Sequence, residues 1–116
     1  GIFSLVFRDA LRGFAAGSED STKVPTGRVT STADGGRTWR LEGDPAFKGT
    51  VYGLATVPGR PRTLIATGPG GSSISDDDGQ SWKPLDPGNY WTVVFASSRT
   101  GWMVGPRGHI AKVELR

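Results

Sequence analysis

The 116-residue sequence contains no cysteine and a single histidine. Disulfides and thiolate metal sites are therefore excluded, and His109 alone falls short of the three or four ligands that zinc requires. No apolar run is long enough to cross a membrane, and no signal-peptide pattern is present. No extended stretch places apolar residues at helical spacing, so helices are not expected. Basic residues outnumber acidic ones by 14 to 11, for a net charge of +3, but they stand singly along the chain. That scatter describes a solvated surface and not a nucleic-acid footprint. The Gly-rich "GPGGSS" (68–73) lacks the lysine and following helix of a phosphate-binding loop, and no serine sits in a nucleophile elbow. The chain opens on glycine, as expected of a processed chain or a piece of a longer one.

What the chain has instead is glycine and proline, 18 and 8 residues, spread along its whole length. That punctuation suits many short strands joined by turns. It also has a repeat. "STADGGRTWRL" (31–41) aligns with "ISDDDGQSWKPL" (74–85), and 43 positions separate Trp39 from Trp82. Upstream, "IFSLVFRD" (2–9), "VYGLATVP" (51–58) and "YWTVVFAS" (90–97) align as β-branched and aromatic strands. A second strand follows in each unit, ending near Gly17, Gly68 and Gly105, and then a third. A fourth starts after Trp39 and Trp82, whereas the last unit stops at Arg116 before one. Four strands in roughly 40 residues is the size of a propeller blade. The expected fold is all-β: a β-propeller segment of four-stranded antiparallel blades, about two and two-thirds in number, in an incomplete ring. The expected units are 1–49, 50–88 and 89–116. The missing last strand is expected from upstream of Gly1, which places the natural C-terminus at Arg116.

The repeated stretch contains the chemistry of a tight turn. Asp34 and Asp77 suit acceptance of backbone N–H bonds just ahead of them, and Gly36 and Gly79 permit positive φ. The hydroxyls of Thr32, Ser75, Thr38 and Ser81 suit tying the turn's mouth. Trp39 and Trp82 are expected to fill the wedge between neighbouring blades. "SDDDG" (75–79) lacks the further ligands of a calcium loop, so a turn is the better reading.

Thr32 to Trp39 and Ser75 to Trp82 resemble the Asp-box, or bacterial neuraminidase repeat, of β-propellers. "GIFSLVFRDALRGFAAGSED" and "TGWMVGPRGHIAKVEL" resemble the photosystem II stability/assembly factor-like bacterial propellers, often labelled oxidoreductase or glycosyl hydrolase. The resemblance implies a non-enzymatic binding or assembly scaffold, the C-terminal part of a longer propeller, exported to the periplasm or beyond. It implies no catalytic residue, metal or cofactor. The alternative is a fragment of a sialidase-like glycoside hydrolase with catalytic residues outside this chain. Glu19, Glu42 and Glu114, with Tyr52 and Tyr90, supply no assembled constellation for that chemistry.

In this architecture the loops between second and third strands share one end with the blade-to-blade loops, opposite the Asp-containing turns. The first of these loops carries an eight-residue insertion within "SEDSTKVPTGR" (18–28). Long loops on rigid scaffolds are where function concentrates. The candidate binding residues are therefore Glu19, Asp20, Lys23 and Arg28, with Asp44, Lys48, Asn89, Tyr90 and Arg107 at the same end. The expected partner is a protein or glycan, with no nucleic acid and no membrane span. The remaining blades are expected from missing sequence or from other copies; three copies would supply about eight blades.

Overall fold

Short strands interrupted by glycine leave the chain one way to satisfy its backbone, which is to pair each strand with the next. In the computed structural model, which describes residues 1–18 and 28–116, eleven strands do so. They are β1 (Ile2–Phe7), β2 (Gly13–Gly17), β3 (Val29–Thr32), β4 (Arg40–Leu41), β5 (Gly53–Val57), β6 (Arg60–Gly68), β7 (Gly71–Ser75), β8 (Lys83–Asp86), β9 (Thr92–Phe95), β10 (Thr100–Val104) and β11 (Ile110–Glu114). Strands β1–β4 form one sheet, β5–β8 a second and β9–β11 a third, all antiparallel and in chain order. The all-β fold of repeated antiparallel blades read from the sequence is the fold adopted.

The sheets stack face to face, because alternate residues of each strand point to opposite sides. Phe14, Ala16 and Val29 of the first sheet meet Leu54, Leu64 and Ala66 of the second, with Val51 at the entry to β5. On the other side of the second sheet, Ala55, Val57 and Ile65 meet Val93, Phe95, Met103 and Val113 of the third. The first strands of the sheets run side by side, with β5 against both β1 and β9. At this seam the inner edge of β5 is partly capped from the first sheet: the Leu54 N–H donates to Ser4 Oγ at 3.0 Å.

Entry into each sheet requires a glycine. A Cβ on Gly17 would lie 1.8 Å from the Gly1 carbonyl oxygen, on Gly68 2.2 Å from that of Thr50, and on Gly105 2.3 Å from that of Asn89. The next residue then crosses to the preceding sheet: the Val51 N–H donates to Gly17 O and the Tyr90 N–H to Gly68 O, both at 3.1 Å. One repeated contact thus closes the chain onto its own blade and joins that blade to the one before.

The two repeated tryptophans differ. Trp82 packs against the core between the first two sheets, and its Nε1 donates to both Gly43 O and Gly79 O at 3.0 Å. Trp39 has no preceding sheet to meet. Its Nε1 reaches only Gly36 O, its ring lies edge-on to Phe7, and it is 40% exposed. The wedge-filling role expected of both is filled by Trp82 alone among the described residues, because it needs a sheet on each side. Beyond Trp39, the outer face of the first sheet exposes Leu5, Phe7 and Leu41, and that of the third exposes Val94, Trp102 and Ile110. Trp82→Ala is expected to cost about 3 kcal/mol in urea denaturation, and Trp39→Ala about 1 kcal/mol or less.

Candidate functional site

Because successive strands reverse direction, the connections sort to two ends. The β1–β2, β5–β6 and β9–β10 hairpins share one end with the β3–β4 and β7–β8 turns. The β2–β3, β6–β7 and β10–β11 connections share the other with the sheet-to-sheet loops.

The first end is built from charge and turn chemistry. Thr32 Oγ1 donates to Asp34 Oδ1 at 2.8 Å and accepts the Gly36 N–H at 2.9 Å. Asp34 accepts the Thr38 N–H at 2.9 Å and the Thr38 hydroxyl at 2.6 Å. Ser75, Asp77, Gly79 and Ser81 repeat each of these bonds within 0.1 Å. Gly36 and Gly79 adopt φ of 94° and 85°, a region open to glycine and strained for other residues. The hydroxyl of Thr38 and that of Ser81, followed by their N–H groups, hold Asp34 and Asp77 down to a pKa of about 2. The three consecutive carboxylates go to separate donors: Asp76 to Thr63, Asp77 to the turn, and Asp78 to Arg8 and Arg62. Arg8 thereby ties the first sheet to the second. Arg60, donating to Ser98 O and Arg116 O, ties the second to the third.

The second end is more open. Arg28 is 7% exposed. Its N–H and Nε both donate to Asp44 Oδ1, at 3.0 and 3.1 Å, Nη2 donates to Pro45 O at 2.8 Å, and Nη1 donates to Gly49 O. The guanidinium also lies over the Phe47 ring, 5.3 Å from its centre. These contacts shape the first sheet-to-sheet loop into a shallow cavity of about 470 Å³ lined by Arg28, Asp44, Phe47 and Lys48. Beside the second loop, Tyr90 is 2% exposed, and its hydroxyl donates to Asp86 Oδ1 at 3.1 Å. Burial, and then that bond, raise the Tyr90 pKa. The exposed His109 ring lies 5.4 Å from that of Tyr90.

Of the candidates read from the sequence, Glu19, Asp20 and Lys23 lie outside the described residues. The structure brings Arg28, Asp44 and Lys48 together at one cavity and leaves Asp44 and Lys48 exposed. Asn89 and Arg107 are exposed at the same end, on the second sheet-to-sheet loop and the β10–β11 turn. Arg28 and Tyr90 are buried, and internal hydrogen bonds engage both side chains. Of the glutamates of the hydrolase alternative, the two among the described residues are engaged locally: Glu42 accepts from Ser31 and Arg40, and Glu114 meets Lys112 and Thr100.

No family model and no curated protein matches the chain. Among solved structures, YCF48 bound to D1 peptide superposes with a TM-score of 0.72 over 97% of this chain, at 22% identity. The fold is that of an incomplete β-propeller. The chain spans 37% of the length of that structure. In propeller terms the sheets are blades, and β1, β5 and β9 are their axial strands.

The open end also carries three residues that turn and loop signals do not mark: Phe3, Tyr52 and Trp91. They occupy one column of the repeat, the second position of "IFSLVFRD", "VYGLATVP" and "YWTVVFAS". An aromatic in all three units is the signal that finds them.

With the carboxyls of Asp34 and Asp77 at about 2 against an ordinary 3.8, ionisation of both favours the fold. Their contribution is complete above about pH 4 and is lost as pH falls through 2. Acid titration of the far-ultraviolet dichroism is expected to show destabilisation between those limits, and Asp77→Asn to flatten it.

Proposed function

We propose that the chain is the C-terminal part of a longer propeller whose loop end is a non-enzymatic docking platform for a segment of another protein. The observation that carries this reading is the division of labour between the ends. Arginine ties and hydrogen-bonded turns fix the blades at one end, while the other end presents open loops on that rigid base. Such a base suits binding with little ordering cost. The solved structure of the same fold, YCF48, is bound to D1 peptide, and the sequence resembles assembly-factor propellers, which supports a polypeptide partner here. Export to the periplasm or beyond is proposed on that family resemblance.

The longer ring is supported by the outer blade faces. Each buried interface sets one side of a blade against the opposite side of the next, so Leu5, Phe7 and Leu41 at one end are complementary in kind to Val94, Trp102 and Ile110 at the other. Further blades of the same chain would cover both. Contiguous apolar faces of this sort do not stay solvated when a partner is available.

Two measurements test the proposal. The isolated chain is expected to bind an apolar dye such as ANS and to associate head to tail in sedimentation, since such an interface does not close on a pair. A dye-silent monomer would overturn the longer ring, and a monodisperse trimer would assign closure to copies of this chain. No turnover of fluorogenic sialosides is expected; turnover would replace the platform with the hydrolase alternative.

A further inference from the structure

Phe3, Tyr52 and Trp91 share a backbone device as well as a column. In the first blade Ile2 pairs with Gly17 and Ser4 with Ala16, which leaves Phe3 as an extra residue in β1. In the second blade Gly53 pairs with Thr67, yet the Tyr52 N–H also donates to Thr67 O, at 2.8 Å. In the third, Thr92 pairs with Val104 and the Trp91 N–H donates to Val104 O at 2.7 Å. Each blade therefore sets two residues against one where its axial strand begins. Bulges of this kind re-aim a side chain and gather near functional sites. The residue before each aromatic is spent on packing in the two inner cases, since Val51 and Tyr90 are buried. The aromatic is not: Phe3 is 59% and Trp91 52% exposed. Tyr52 has a blade on both sides and is still only partly buried, so its exposure does not come from an open blade face.

Two of the three rings touch, and the strand starts that carry the second and third lie side by side. The Phe3 and Tyr52 rings meet edge to face, 5.4 Å apart at 89°. The starts of β5 and β9 abut so closely that a Cβ on Gly53 would lie 3.2 Å from the Trp91 carbonyl oxygen. We propose that Phe3, Tyr52 and Trp91 form an aromatic ledge at the axial rim of the loop end that grips the apolar side chains of an extended peptide. This rests on the platform reading above and names its contact groups. The perpendicular Phe3 and Tyr52 rings offer an edge and a face side by side, the two surfaces that a branched or aromatic side chain packs against. Carboxylates are the usual partners of sugar hydroxyls, and those of the adjoining loops, Asp44 and Asp86, are held by Arg28 and by Tyr90 and the Gly88 N–H. Large, stiff aromatics at the centre of a patch are also the residues that carry most binding energy between proteins.

The probe is a displayed library of random dodecapeptides selected on the immobilised 116-residue chain, with the recovered peptides remade and titrated. Selected sequences are expected to share apolar residues at alternate positions. Phe3→Ser and Trp91→Ser are each expected to weaken them about tenfold or more with little change in melting temperature. Tyr52→Phe is expected to keep the affinity, and Leu41→Ser and Val94→Ser, on the open blade faces, to leave it unchanged. Peptides that bind the ledge variants as well as the parent would overturn the ledge and leave the platform standing. Loss with Leu41→Ser or Val94→Ser would assign the peptides to the blade faces and overturn it too. Failure to recover any peptide would overturn both readings. Glycan-array binding lost in Trp91→Ser would replace the peptide with a sugar.

Discussion

Two successive blades can share a hydrophobic core only if the chain passing between them lies flat against the blade it enters and the blade it leaves. The glycine ending the second strand makes this possible. At Gly17, Gly68 and Gly105 a carbonyl oxygen occupies the place of a side chain. Beside the last two of these, the N–H that follows the carbonyl crosses to the preceding blade. Everything outward from the axis inherits its position from that close approach. It sets which residues of β5 and β6 face the first blade and which face the third, and hence where the two apolar layers form.

The ends of the blades then take different work for a physical reason. Tight turns bring their own backbone donors close together, and a short carboxylate can collect them without help from distant residues. Asp34 and Asp77 do so in almost identical geometry, although one sits on an outer blade and the other between two blades. The first sheet-to-sheet loop at the opposite end, residues 42–52, depends on side chains outside it for its shape. Arg28 organises it through two backbone carbonyls, a carboxylate and an aromatic face. Rigid turns at one end and supported but open loops at the other are the contrast on which the proposed docking platform rests. The bulged aromatics sit at the inner margin of that surface, where neighbouring blades come closest.

Residue by residue, the candidate site was only half legible in the sequence. Loop length and topology singled out the loop end, and Asp44, Lys48, Asn89 and Arg107 are exposed there. The same reasoning offered Arg28 and Tyr90 as contact groups, because a polar side chain near a loop looks available until its hydrogen-bond partners are known. The aromatic column was visible in the aligned repeat, but alternation along a strand gives no account of an aromatic beside a buried residue. The bulge does, and a bulge is a matter of pairing between strands.

The sequence by itself determined the strand order, the blade repeat and the turn devices, since each rests on local backbone chemistry: glycine at positive φ, hydroxyls and carboxylates within a few residues of the N–H groups they bind. Only the tertiary structure decided which tryptophan packs against the core, which arginines are ties, which tyrosine is held by a hydrogen bond and which aromatics stand clear of the core. Those outcomes depend on what lies across the gap to the next blade. Trp39 and Trp82, alike in motif and unlike in surroundings, differ for that reason alone.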